Sequence, residues 1–295
     1  MGTTLKKQTI ALSLLFSAVS IQTIQKISQK NNIPEKTIFC HGIIDNHNQL
    51  NHYFNKTAFN AVSFDFPDVE INNSWNLSGF ISQATSLSKR SKHRPFGKQI
   101  NRDKMFMGQT KDIETLQAEL LKYTCPTIFY GTSRGGSTII SALGKIDQNP
   151  AAFGNPNIKA IVLESPPANM LDAIDGWSAK LGITLPHALF RKIFYQYPEK
   201  PYTPLDAIKD IKNKQLPIFI VYAAEDTVVN PSQAWILYHA FLEAGFTNVY
   251  IHEVAKGKHC HLQLDPQFHK NYCAQVQAFY KHHELLKDHH HRFDC

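Results

Sequence analysis

Residues 127–137 read Thr-Ile-Phe-Tyr-Gly-Thr-Ser-Arg-Gly-Gly-Ser. Thr127 to Tyr130 follow a proline and form a short run of buried-strand type. The run leads straight into Gly131-Thr132-Ser133-Arg134-Gly135, a G-x-S-x-G pattern, and Ser137 to Leu143 continue as a helix-like stretch. A serine held at the tip of so sharp a strand-to-helix turn has strained backbone angles. Side chains two positions away would collide with the turn, so Gly131 and Gly135 suit those places. A nucleophilic serine is therefore expected at Ser133. The five-residue pattern is short enough to arise by chance, and it is the strand before it and the helix after it that give it weight.

A serine hydroxyl at its ordinary pKa is a poor nucleophile, so an intact site also needs a base, an acid that orients the base, and donors for an oxyanion. The apolar run Leu216 to Tyr222 leads into Ala223-Ala224-Glu225-Asp226-Thr227-Val228-Val229-Asn230-Pro231. A carboxylate just past such a strand end is well placed to hold an imidazole. Val249 to Val254 form another strand candidate, followed by Gly257-Lys258-His259-Cys260-His261. A histidine in that loop could reach across the strand ends to Ser133.

These pieces together resemble the α/β-hydrolase superfamily, in the order serine, acid, histidine. The matching features are the elbow, Asp226-x-Val-Val-x-Pro after the next-to-last strand, Gly257-x-His259 after the last, and His41-Gly42 after the apolar strand Thr37 to Cys40. The resemblance covers about residues 36–287. It implies Ser133 as nucleophile, His259 as general base and then acid, Asp226 as its orienting partner, and the backbone N–H groups of Ile43 and Arg134 as oxyanion donors. It implies no cofactor. Two departures stand out. A first strand near residue 37 leaves little room for the two antiparallel strands that usually open the sheet, and Ala223 stands where the family usually has Gly.

Each site residue has a plainer reading. Asp226 could be a turn residue or the cap of a helical stretch from Pro231 to Ala244, with Glu225 and Glu164 as rival acids. His259 and His261 could be solvated loop residues, or exchange roles. A zinc site that also draws in His252 is the least favoured reading, and no metal is expected. His41 is expected to be structural, with Gly42 letting substrate approach the backbone.

At 295 residues and 43% hydrophobic, the chain can bury one full core without a second domain. Strand runs at 37–40, 61–65, 127–130, 160–163, 217–222 and 249–253 alternate with helical patterns. One such pattern places Ile113, Leu116, Leu120 and Leu121 on a single face, with Asp112 and Glu114 in its first turn. The expected fold is α/β: a mainly parallel sheet of about six strands with helices on both faces, shortened at its N-terminal edge. An insertion of about fifty residues, 166–215, sits where the family often carries a helical cap. Its Trp177, Phe190 and Phe194 are candidates to line an apolar substrate pocket, unless the segment packs on the core as ordinary helices.

The net charge of +7 is mostly local, since Lys89, Arg90, Lys92, Arg94, Lys98, Arg102 and Lys104 face only Asp103 within one stretch. A solvated surface loop is the favoured reading; attraction to an anionic membrane surface or an acidic substrate is the functional alternative, and without interleaved aromatics nucleic acid is disfavoured. Residues 288–295 form a polar, His-rich tail with His289, His290 and His291. Lys6-Lys7 before the apolar stretch Ile10 to Ser20 resemble a secretory signal, so residues 1–20 are read as a signal peptide and 21–295 as the hydrolase domain. Ile21, Ile24 and Ile27 continue a helical spacing that would instead suit an amphipathic helix. Export is favoured over a cytoplasmic location. Five cysteines, few and odd in number, imply no disulfide framework.

The expected function is a serine hydrolase that cleaves a carboxylic ester or thioester of a small-molecule acyl substrate through an acyl-enzyme intermediate. The alternatives are a related serine peptidase and a hydrolase-fold binding or scaffold protein without catalysis.

Overall fold

The computed structural model describes residues 35–42, 47–50, 60–67, 110–173, 175, 201–257, 259–260, 262 and 266–285. Several expectations fall outside them: the signal segment 1–20, Ile43, the basic stretch 89–104, the cap side chains Trp177, Phe190 and Phe194, His261, and the tail 288–295.

Six strands appear among the described residues, and each coincides with one of the apolar runs: β1 Lys36–Cys40, β2 Ala61–Ser63, β3 Thr127–Thr132, β4 Ile158–Glu164, β5 Ile218–Ala223 and β6 Val249–Val254. They form one sheet in the order β2-β1-β3-β4-β5-β6, and every pairing is parallel. A parallel sheet is covered on both faces. This is why β3 and β5 read as continuous apolar runs rather than alternating ones, and both are buried along their whole length.

Successive side chains of a strand point to opposite faces, and the core divides accordingly. On one face Ile38, Phe129, Ile161, Leu163, Ile218 and Ile220 pack against four helices: α1 Thr110–Leu120, α2 Arg134–Gln148, α3 Pro204–Asp210 and α4 Ser232–Glu243. On the other, Phe39, Ile128, Tyr130, Val162, Phe219 and Val221 pack against α5, Pro266–His282, through Tyr272, Val276 and Phe279. The sequence reading did not extend to α5. Its buried Tyr272, Cys273, Val276, Phe279 and Tyr280 nonetheless recur at the spacing of one helical face. Cys273 on this helix is disulfide-bonded, and Cys40 is a buried thiol.

The chain order decides where a site can form. From β1 the chain steps outward to β2, then crosses back to β3 on the other side of β1 and proceeds β4, β5, β6 in one direction. Connections leaving the adjacent C-terminal ends of β1 and β3 therefore diverge, opening a crevice at this switch point. His41-Gly42 and Ser133 sit at its two lips.

Candidate active site

Ser133 stands between the last residue of β3 and the first of α2 with φ 49° and ψ −118°, a left-handed conformation that costs a non-glycine residue on the order of 1–3 kcal/mol. Its neighbours make room for the turn. A Cβ on Gly131 would lie 2.6 Å from the Gly136 nitrogen, and one on Gly135 would run into the carbonyl oxygen of Cys40. Both contacts are with backbone, so neither can be relieved by a rotamer change. The Ser133 N–H donates to the Glu164 carbonyl at 2.8 Å, tying the elbow to the end of β4.

Ser133, Asp226 and His259 come together although the chain separates them widely. The His259 Nε2 lies 2.8 Å from the Ser133 Oγ, and its Nδ1 lies 2.7 Å from the Asp226 Oδ2. A carboxylate only accepts, so Nδ1 carries the proton and Nε2 presents its lone pair to the serine hydroxyl. Asp226 follows β5, and its other oxygen accepts from the N–H groups of Val228 and Val229 at 2.8 and 2.9 Å. The turn-residue reading and the imidazole-holding reading of Asp226 are thus both realised, one on each oxygen. It is not a helix cap, because Pro231 occupies the cap position of α4. Burial pushes the Asp226 carboxyl up, yet the His259 hydrogen bond, the His259 charge and the two backbone N–H groups outweigh it and leave the carboxyl below its ordinary value.

The rival acids lie elsewhere. Glu225 is exposed to solvent. Glu164 is buried on the α5 face of the sheet, where its carboxylate accepts from the Tyr272 hydroxyl at 2.9 Å. His252 is on β6 and stacks on Phe219. No cluster of three or more His, Cys, Asp or Glu side chains suited to a metal occurs among the described residues.

The lips of the crevice are tied together by side chains whose roles the sequence does not advertise. His41 is wholly buried: its Nδ1 donates to the Gly42 carbonyl at 2.6 Å, its Nε2 accepts from the Phe66 N–H at 3.3 Å, and its ring meets that of Phe66 edge-on. The Gly42 N–H donates to Gln49 Oε1 at 3.1 Å, and the Thr132 hydroxyl donates to the same oxygen at 3.0 Å. The Gly42 N–H is therefore engaged by Gln49, and the expected donor Ile43, one residue on, lies outside the described residues.

Arg134, whose N–H opens α2 beside Ser133, has a fully buried side chain. It donates to both oxygens of Asp112, from Nε at 2.7 Å and from Nη2 at 2.6 Å, while its guanidinium lies over the Phe66 ring at 4.5 Å. Asp112 was expected only to complement the positive end of its helix; it is instead fully buried and fixes the residue after Ser133. A buried arginine in the elbow is a signal that could have prompted a search for such a carboxylate, although its address in the sequence could not have been read.

No family model and no curated protein matches the chain at the level of sequence. Solved structures do match its shape. An esterase from Pyrococcus furiosus superposes with a TM-score of 0.52 over 85% of this chain and 84% of its own, at 18% identity. A monoacylglycerol lipase from Paleococcus ferrophilus gives 0.51 over 84% and 96%, at 14% identity. An acylaminoacyl peptidase from Pyrococcus horikoshii gives 0.52 over 84% of this chain and 37% of that longer one, at 15% identity. With its open, parallel six-stranded sheet, its helices on both faces and the serine turn at the switch point, this chain has the α/β-hydrolase fold.

Proposed function

We propose that the chain is a serine hydrolase that cleaves a carboxylic ester or thioester through an acyl-enzyme intermediate. The observation that carries this reading is the continuous hydrogen-bonded relay from Asp226 through His259 to Ser133, with spacings of 2.7 and 2.8 Å. Attack by the Ser133 Oγ on the carbonyl carbon passes the hydroxyl proton to the His259 Nε2. The imidazolium so formed sits beside the buried Asp226 carboxylate, which holds the ring and stabilises its charge. The tetrahedral oxyanion falls toward the N-terminus of α2, where the Arg134 N–H and the positive helix end favour negative charge, with the Ile43 N–H as the second donor. His259 then gives its proton to the departing alkoxide or thiolate, leaving an acyl group on Ser133. Water, deprotonated by the same nitrogen, releases the acid and restores the serine. No step requires a cofactor.

The test is labelling with a fluorophosphonate, which reports an activated serine without knowledge of the substrate. The wild-type protein is expected to be labelled at Ser133 and to hydrolyse p-nitrophenyl esters, and Ser133→Ala to lose both while remaining folded by circular dichroism. Labelling that survives in Ser133→Ala would assign the nucleophile elsewhere, and a folded wild type that neither labels nor hydrolyses esters would leave a binding protein.

A further inference from the structure

Gln49 was not among the expected site residues, yet its side chain joins the two lips of the crevice. It is 3% exposed and stands at the end of a short 3-10 helix, His47–Gln49. Both described groups that bond its carboxamide act as donors: the Gly42 N–H, which can do nothing else, and the Thr132 hydroxyl. A single oxygen, Oε1, therefore accepts from both, and the orientation of the amide follows from the Gly42 contact rather than from an arbitrary choice. Thr132 is bonded to Ser133 in the chain. Gly42 precedes Ile43, the proposed oxyanion donor. The link thus spans from the residue before the nucleophile to the residue before the donor, and its longer arm, from Gln49 to Thr132, crosses 83 positions of sequence.

We propose that Gln49 is a positioning residue, setting the distance between the Ser133 Oγ and the oxyanion donor of the 41–43 loop through the shared Oε1. This rests on the serine-hydrolase reading above. The physical demand for such a tie is specific. In the ground state the carbonyl oxygen tolerates a loosely placed donor. In the tetrahedral state the oxyanion requires the donor within hydrogen-bond distance of a position fixed by Ser133. Thr132 belongs to β3 and Gly42 to the loop after β1; the strands are held by their ladder up to Cys40 and Gly131. Beyond that point the described hydrogen bonds that steady Gly42 are those of the His41 ring to its carbonyl and of Gln49 to its N–H. His41 ties the loop to Phe66, and Gln49 ties it to Thr132, the residue before Ser133.

The experiment uses the full chain with Gln49→Met, which keeps the length and removes the acceptor, Thr132→Val, which keeps the shape and removes the donor, Thr132→Ser, which keeps the donor, and the double variant Gln49→Met/Thr132→Val. Steady-state hydrolysis of a soluble p-nitrophenyl ester is read alongside affinity for an alkyl boronic acid, which forms a tetrahedral adduct on the serine. Expected for Gln49→Met is a kcat loss of about tenfold to a hundredfold with KM within about twofold, and a parallel loss of boronate affinity. Thr132→Val should lose kcat in the same way, Thr132→Ser should restore most of that loss, and the double variant should be no worse than Gln49→Met alone, because both act through one oxygen. The inference is overturned if Gln49→Met lowers thermal stability while kcat and boronate affinity stay at wild-type levels, if only KM moves, or if Thr132→Ser loses as much as Thr132→Val. Should Gln49→Met fail to fold, the contrast between the two Thr132 variants decides alone. A wild type that is inert to ester, boronate and fluorophosphonate would instead bring down the hydrolase reading, which separates the two failures.

Discussion

Ser133 pays twice for its place, in backbone strain and in burial, and both have measurable consequences. A residue at φ 49° and ψ −118° is relieved by glycine but not by alanine. Ser133→Gly is therefore expected to be more stable than Ser133→Ala by about 1 kcal/mol, the strain released less the chain entropy that glycine adds, as read by urea unfolding. Equal stability would mean that the turn relaxes around alanine. The relay gives a second expectation. In Asp226→Asn an amide replaces the carboxylate between the His259 Nδ1 and two backbone donors, and it cannot serve all of them as acceptor. Under the proposed mechanism kcat should fall by about 10⁴-fold, with KM little changed. Because the Asp226 carboxyl is held below its ordinary value, the charged form persists as pH falls past the usual carboxylate range. Its contribution to stability is present above the unfolded-state value and is lost only as pH drops through the lower folded one. Asp226 should consequently stay charged at mildly acid pH, and a kcat profile whose acid limb tracks its titration would contradict that.

Elements are held in place by their ends and edges. Helix α3 is only seven residues long and starts with a capping box: the Asp206 N–H donates to the Thr203 hydroxyl at 3.2 Å, and the Thr203 N–H donates to the Asp206 carboxylate at 3.0 Å. So short a helix has little intrinsic stability, and Thr203→Ala should cost about 1 kcal/mol in urea unfolding. The edge strand β6 carries His252, whose imidazole stacks on Phe219 with a buried Nε2 that has no hydrogen-bond partner among the described residues. Burial pulls its pKa below the ordinary 6.5, against a smaller upward pull from Glu253. His283, at the end of α5, is lowered in the same sense by burial and by His282. The sign follows directly: as pH falls below about 6.5 the unfolded chain takes up these protons first, so stability present above that value is lost as pH descends through the folded ones. Unfolding free energy should decline from neutral pH toward about pH 5, and His252→Leu should flatten the decline. An identical slope in the variant would place the titration elsewhere.

At the scale of the whole molecule, the sheet is a partition between two cores of unequal support. Four helices cover one face, whereas among the described helices only α5 covers the other. Phe279 stacks on Phe219 at 5.3 Å and is nearly wholly buried there. Phe279→Ala should therefore cost about 3–5 kcal/mol, toward the upper end if the thinly covered face cannot close around the void. Urea unfolding measures it, and a loss under 1 kcal/mol would show that the face repacks. The same architecture places the relay. Ser133, Asp226 and His259 follow β3, β5 and β6, all at the C-terminal edge, so a parallel sheet brings their loops to one side without further design.

The strands and the serine turn were legible because their causes are local. A strand buried on both faces must be apolar throughout, as β3 and β5 are, and a turn too tight for Cβ must have glycine, so these strands and Gly131-x-Ser133-x-Gly135 could be read from the chain by itself. So could the chain order of the loops that carry Ser133, Asp226 and His259, after β3, β5 and β6. The sequence favoured Asp226 and His259 over their neighbours Glu225 and His261, but by position alone. Glu225 and Asp226 differ by one position and are chemically alike; only the direction of the turn after β5 sends one into solvent and the other to His259. Pairings between distant residues were likewise beyond reach. Arg134 with Asp112, and Gln49 with Gly42 and Thr132, each satisfy a buried polar group with whatever partner the fold brings near, and such a requirement names the need for a partner but not its place. The tertiary structure decides those contacts because burial, which makes an unmet hydrogen bond costly, is itself created only when the layers close.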